Sequence, residues 1–215
     1  MNAMTEQGRS DSLTEAELRA LSGQGAVKTF QRHTVIVSEG DETDSLYVIL
    51  SGRVRVFVAD ESGKEVVLGT QEAGEYFGEM VLDGGPRSAS VMTLEPSRFL
   101  VIPKRKVRDF LRSQPDFAIR LIDKLIHRSR SLTASVKNLA LMDVYGRVAR
   151  LLLELAENDR GRLVIREKLT QQEIASRVGA SREMVSKILK DLASGGYLSI
   201  TQKRITIQKA PPQHW

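Results

Sequence analysis

Two groups of residues in this chain have types and spacings suited to chemistry. In the first, Gly78-Glu79-Met80 is followed after a short interval by Arg87-Ser88-Ala89. Arg87 offers paired donors to an anion, Ser88 adds a hydroxyl, and a short helix near Glu79 would present free backbone amides. Gly78 lets the backbone approach a ligand closely. An ionised Glu79 only accepts hydrogen bonds, so its partner on a bound molecule must be a donor, such as a sugar hydroxyl, and not the anion itself. The same residues allow a second arrangement, an internal Arg87–Glu79 ion pair in an empty cavity. The second group is Arg182, Glu183, Ser186, Lys187 and Lys190, spaced by three and four so that they share a helix face opposite Val185, Ile188, Leu189 and Leu192. Arg can donate two hydrogen bonds to guanine O6 and N7, and Glu can accept from cytosine N4. An ordinary solvated helix face has a similar composition, and the surrounding elements decide between the two.

Residues 34–102 are dense in β-branched and aromatic types, in runs at 35–37, 46–50, 54–58 and 99–102. Turn signals separate the runs, at Glu39-Gly40-Asp41, Ser51-Gly52, 61–64 and Glu72-Ala73-Gly74. Many close reversals without intervening helices predict a compact β-roll, a double-stranded β-helix of jelly-roll type, and this roll would hold the first group. Ahead of it Leu13, Leu18 and Leu21, with Thr14 or Ser12 as cap, predict a short helix. After Pro103 the sequence is helical, and residues 116–143 run without Pro or Gly. Ile122, Leu125, Ser129, Leu132, Val136 and Leu139 form a 3.5-residue seam on it, widened by Ile119, Ile126 and Leu141. That seam predicts a dimerisation helix between two copies of the chain.

A further amphipathic helix is predicted over 144–158, ended by a turn at 158–161, with a brief strand at 163–165. Thr170-Gln171-Gln172-Glu173 then reads as a capping box opening a helix whose buried face is Ile174, Ala175 and Val178. Gly179 suits a left-handed cap, and Ser181 caps the helix that carries the second group. Two short helices around a tight glycine turn make a helix-turn-helix, and the alternating segments 198–201 and 205–207 around Gln202-Lys203-Arg204 add a wing. Thr170, Gln172, Ser181, Lys203 and Arg204 are placed to contact phosphates, which fixes register and not sequence. Residues 145–215 hold 13 Lys and Arg against 7 Asp and Glu, so the positive charge of the chain, +5 in total, lies in this region. The expected fold class is therefore α+β: a β-roll over 1–115, a long dimerisation helix and hinge over 116–143, and a winged helix-turn-helix over 144–215.

At this point a family resemblance becomes specific. Residues 169–192, LTQQEIASRVGASREMVSKILKDL, are similar to the DNA-binding motif of the Crp/Fnr superfamily, the cyclic-AMP receptor protein and fumarate-nitrate regulator family of transcription regulators. The stretch 74–80 with 86–91 resembles that family's phosphate-binding cassette, and the likeness runs from 13 to 207 in one domain order. It implies a cyclic nucleotide held by Gly78, Glu79, Met80, Arg87, Ser88 and Ala89, with Glu79 on the ribose and Thr133 of the long helix toward the base. Cyclic AMP is the first expectation; cyclic GMP, cyclic di-GMP or no ligand are the alternatives, as is a nucleotide-binding module acting on protein partners. Arg182 and Glu183 match the family's base-reading pair, and Lys187 stands where the next reader is usually Arg. Palindromic double-stranded DNA with TGTGA-type half-sites, a homodimer and RNA polymerase are the implied partners. Ligand would brace the helix around Leu132 and Leu139, and a hinge at Met142, Asp143 and Val144 would reorient the reading helices.

Other classes find little support. Cysteine is absent, which excludes disulfides, thiolate metal sites, iron–sulfur clusters and thiol redox sensing. His33, His127 and His214 fall in unlike segments, so neither a metal nor haem is expected, and no nucleophile–base arrangement suggests an enzyme. No apolar run approaches the roughly 18 residues that cross a bilayer and the first residues are polar, so a cytoplasmic protein without membrane contact is expected.

Overall fold

A computed structural model describes residues 12–42, 44–159, 161–201 and 204–211. The chain divides into two compact units, Met1–Val58 with Val67–Arg130, and Ala59–Val66 with Ser131–Trp215. Among the described residues no helix is long and apolar enough to cross a membrane.

In the first unit, α1 (Glu15–Ser22) opens with a capping box: Thr14 Oγ1 accepts from the Glu17 amide at 3.3 Å, and the Glu17 carboxylate accepts from the Thr14 amide at 2.8 Å. Eight strands follow: β1 (Ala26–Phe30), β2 (Val35–Val37), β3 (Ser45–Ser51), β4 (Arg53–Ala59), β5 (Glu65–Glu72), β6 (Tyr76–Phe77), β7 (Ser90–Thr93) and β8 (Ser97–Pro103). They form two four-stranded sheets, ordered β1-β8-β3-β6 and β2-β7-β4-β5. β8 explains the layering. Its Phe99 and Val101 join Val37, Val54, Val56 and Val91 in one core, while Leu100 and Ile102 join Leu21, Val107, Phe110 and Phe117 in another. A strand apolar on both faces at period two must be covered on both, here by the second sheet and by helices. Those helices are α1, α2 (Lys104–Ser113) and the first half of α3 (Pro115–Leu141). Arg120 of α3 also pairs with the buried Glu17 of α1.

The sequence reading places the β content from residue 34 onward and so omits β1, an edge strand paired to β8 whose residues are mostly exposed. With little burial, it carries no apolar alternation to reveal it. The long helix runs as expected to within two residues. Its buried positions, Phe117, Leu121 and Lys124, all lie in its first half. Ile122, Leu125, Leu132, Val136 and Leu139 are exposed, Val136 by 65%, an apolar stripe left uncovered among the described residues.

The second unit contains α4 (Val144–Leu155), β9 (Glu157–Asp159), β10 (Arg162–Ile165), α5 (Gln171–Val178), α6 (Arg182–Ser194), β11 (Leu198–Thr201) and β12 (Arg204–Ile207), with its sheet ordered β11-β12-β10-β9. Asp143 caps α4 by accepting from the Gly146 amide at 2.7 Å, which ends α3 and starts α4 within two residues. α4 stops at Leu155, not at 158 as the sequence suggests. Polar residues 157–159 instead pair as a strand with β10, because the backbone at Ala156 has already become extended. Val148, Leu152, Ile165, Ile174, Val185, Leu189, Leu192 and Ile205 make one core from all three helices and the hairpin. Leu152 is fully buried at its centre. Leu152→Ala should cost about 2–5 kcal/mol of stability in urea unfolding; a loss below about 1 kcal/mol would mean that the three helices do not depend on one core.

Candidate ligand pocket and nucleic-acid interface

A pocket lies in the β-roll, with about 410 Å³ of space between its walls, part of it open to solvent. Val37, Val56, Phe77 and Val91 give it apolar walls, and Gly78, Glu79, Met80, Arg87, Ser88, Ala89 and Arg128 complete it. Six of the seven residues expected to bind ligand are thus brought together. Thr133 does not line the cavity; it lies further along α3, in the second unit.

Arg87 follows a loop whose backbone is tied by Arg87 N–H to Asp41 O at 2.8 Å and Gly40 N–H to Arg87 O at 2.8 Å. Arg87 is 6% exposed, and among the described residues only one of its guanidinium nitrogens is well satisfied. Nη2 donates to the Ser45 carbonyl at 3.0 Å and lies 3.8 Å from Asp44. The Tyr47 ring, stacked on Phe77 at 5.0 Å, faces the guanidinium carbon at 5.7 Å. Burial raises the Tyr47 phenol above its usual pKa against the pull of Arg87, with Asp44 adding to the rise, so the phenol stays neutral. Among the described residues Arg87 Nε and Nη1 are buried without a partner. Buried polar groups are nearly always hydrogen-bonded, so two free donors on one cation mark a place prepared for an acceptor.

Gly78 makes this packing feasible. Its φ is +86°, and a Cβ there would sit 2.6 Å from Arg87 Nη1 and 2.9 Å from the Ser45 carbonyl. It opens a four-residue 3-10 turn, Glu79–Leu82. Glu79, 5% exposed, does not pair with Arg87: its Oε1 accepts from Arg128 Nη1 of α3 at 2.8 Å, and its Oε2 is buried without a partner among the described residues. The internal Arg87–Glu79 pair allowed by the sequence is therefore not what forms. Ser88 donates its hydroxyl to Met80 Sδ at 2.9 Å.

Sequence reasoning missed Arg128. It also missed Lys124, buried one turn earlier, whose Nζ donates to Tyr76 O at 3.0 Å and lies 3.7 Å over the Tyr76 ring. The signal was available: Phe117, Leu121, Lys124 and Arg128 follow one helix stripe that begins apolar and ends cationic. Among the described residues no group of three or more His, Asp or Glu is placed to hold a metal.

In the second unit the expected caps are present. Thr170 and Glu173 exchange bonds of 3.1 and 2.6 Å, Gly179 takes a left-handed φ of +67°, and Ser181 accepts from the Met184 amide at 3.2 Å. Arg182, Glu183, Lys187 and Lys190 are exposed on α6 with Ser186 partly buried beside them, and Thr170, Gln172 and Ser181 are exposed at the two helix starts. None of these charged α6 residues joins an ion pair among the described residues, whereas Arg177 is fixed by Glu167 at 3.1 and 2.8 Å. Arg204 is exposed at the start of β12; Lys203 lies outside the described residues.

A β-roll pocket with an unsatisfied cation, ahead of a winged helix-turn-helix with a free basic reading face, defines a ligand-responsive DNA-binding regulator. Comparison with known proteins agrees. Residues 27–114 match the cyclic nucleotide-binding domain, and residues 146–211 match the Crp-like helix-turn-helix domain. The chain is 34% identical over 195 residues to a CRP-like cAMP-activated global transcriptional regulator of Mycobacterium tuberculosis, covering 88% of this chain and 87% of that one. It is 33% identical over 186 residues to the cAMP-activated global transcriptional regulator CRP of Salmonella typhimurium, covering 84% and 89%. Among solved structures, the c-di-GMP responsive global regulator CLP of Xanthomonas campestris superposes with a TM-score of 0.79 at 24% identity, over 90% of this chain and 99% of that one, a likeness of fold. The chain belongs to the Crp/Fnr superfamily of transcription regulators.

Gly78→Ala should displace Arg87 and destabilise the roll by about 1–3 kcal/mol, from the positive φ and the close approach together. Thermal melting reads this directly, and an unchanged midpoint would show that Arg87 is not held by its fit over Gly78.

Proposed function

We propose that this chain is a homodimeric transcription regulator whose β-roll binds a cyclic mononucleotide, cyclic AMP first, and which then binds palindromic double-stranded DNA. The observation that carries the ligand reading is the pair of buried, unpartnered Arg87 donors beside an unpartnered Glu79 oxygen in one cavity. Arg87 and Ser88 take the cyclic phosphate, Glu79 Oε2 takes a ribose hydroxyl, and Gly78, Met80 and Ala89 shape the wall. The base lies toward the apolar side of the pocket, with Thr133 of α3 as its expected polar partner. Both curated relatives named above are cAMP-activated, which supports the choice of nucleotide. Cyclic di-GMP carries two phosphates, and this cavity has a single unsatisfied guanidinium.

On the DNA side, Arg182, Glu183, Ser186 and Lys187 read bases, while Thr170, Gln172, Ser181, Lys203 and Arg204 hold phosphates. The exposed α3 seam of Ile122, Leu125, Ser129, Leu132, Val136 and Leu139 supports pairing with a second copy, which would set two α6 helices on successive major grooves. Functionally the chain then divides into a roll over 1–115, a dimer helix over 116–143 and a DNA-binding part over 144–215. RNA polymerase is the partner through which bound protein acts, and the role is regulatory and not catalytic, as in the relatives.

Fluorescence anisotropy on a duplex with two inverted TGTGA half-sites, at one salt concentration, tests the reading. Cyclic AMP should raise affinity at least about tenfold, the coupling expected of an allosteric effector. Arg87→Ala should abolish that response and leave weak nonspecific binding. Arg182→Ala should remove about 1–3 kcal/mol of preference for the operator over random duplex while nucleotide binding persists. Tight operator binding that ignores cyclic AMP would overturn the choice of nucleotide, and an exchange of the two variants' effects would overturn the division of labour.

A further inference from the structure

We propose that Met80 is an oxidation site whose sulfoxide closes the β-roll pocket to its anionic ligand, an inference that rests on the nucleotide reading above. Met80 is 42% exposed and lines the cavity, so a small oxidant reaches its thioether. Its Sδ lies 2.9 Å from Ser88 Oγ, and the same cavity is lined by Arg87, whose Nε and Nη1 are buried without a partner. The sulfur thus touches one donor that the proposed ligand needs and lines the same cavity as the other. With no cysteine in the chain, thioethers are its only sulfur groups.

The reaction needs a two-electron oxidant such as a hydroperoxide or hypohalous acid. With hydrogen peroxide, one oxygen is transferred to Sδ, the O–O bond breaks, an S–O bond forms, and the peroxide leaves as water. The thioether is oxidised by two electrons, and the protein keeps its charge. A thioether sulfur is a weak acceptor, whereas the sulfoxide is polar and carries a strongly accepting oxygen. Held beside Ser88 in the cavity that Arg87 also lines, that oxygen takes up the Ser88 hydroxyl and competes with a phosphate for the donors of this cavity. Loss of hydrogen bonds to a charged group corresponds to a drop in affinity of about tenfold or more. Bound nucleotide in turn covers the sulfur that lines its cavity, and so slows its oxidation.

The test uses the full chain, hydrogen peroxide as oxidant, peptide mass mapping to follow Met80, and calorimetric binding of cyclic AMP. Affinity should fall about tenfold or more in proportion to Met80 sulfoxide, and saturating cyclic AMP should slow that oxidation. Met80→Leu, whatever its own starting affinity, should bind equally before and after peroxide. Met80→Gln, which places an acceptor oxygen at similar reach, should bind weakly without oxidant. A wild-type protein that binds as before with Met80 fully oxidised would overturn the proposal, as would a Met80→Leu variant that loses as much affinity as wild type. Absence of binding before any oxidation would overturn the nucleotide reading, and this inference with it.

Discussion

A guanidinium held inside the roll with two donors unpaired is the constraint on which the first unit depends. Taking a cation out of water is costly unless acceptors replace the lost solvent, and among the described residues Arg87 has only the Ser45 carbonyl, Asp44 at 3.8 Å and the Tyr47 ring. The roll tolerates this because its two cores fix the surrounding backbone independently of Arg87. Phe99 meets Phe30, Tyr47 and Phe77 edge-on at 5.6 to 6.4 Å, so the strand that carries Ser45 and the one that leads into Gly78 are set by aromatic packing. Local strain is then supported by distant packing, the arrangement expected where a site is organised before its ligand arrives.

The second unit solves a different problem, how to leave a charged face free. α6 buries Val185, Ile188, Leu189 and Leu192 and turns its charges outward, while other arginines nearby are fixed. Arg147 donates to Val178 O at 2.9 Å and to Met142 O at 2.8 Å, tying the end of α5 to the residue that follows α3. Arg150 similarly bonds Asn138 at 3.1 Å and Glu154 at 2.8 Å. Side chains that hold the scaffold are thus distinct from those left for recognition, and the contrast is clearer than net charge alone.

The helix-turn-helix was legible because its signals are local: two N-caps, one left-handed glycine and apolar spacings of three and four each lie within a few residues. The long helix and the strands with strongly apolar runs were legible for the same reason. β1, β9 and the true end of α4 were not: β1 pairs with a strand distant in sequence, β9 is a short polar edge strand where α4 was expected to continue, and neither strand leaves much burial pattern. In the pocket, the cassette residues declared themselves by type, but the partner of Glu79 did not. A carboxylate followed by an arginine eight residues on suggests a pair, yet the fold brings Arg128 from another element. Only the orphaned atoms of Arg87 and Glu79, which no sequence displays, separate a prepared site from a closed ion pair.

The way Glu79 is shared follows from its having two oxygens. Arg128 occupies Oε1 and leaves Oε2 buried and free, so a ligand hydroxyl can be accepted without breaking the ion pair to α3. A ligand hydroxyl at Oε2 would therefore add a bond to a carboxylate already anchored on the long helix. The polar end of the pocket is built in the same manner, since the Ser88 hydroxyl rests on a sulfur, a weak acceptor that yields readily to a phosphate oxygen. Each polar group at this end is held firmly enough to be positioned, and loosely enough that an arriving anion supplies the stronger partner.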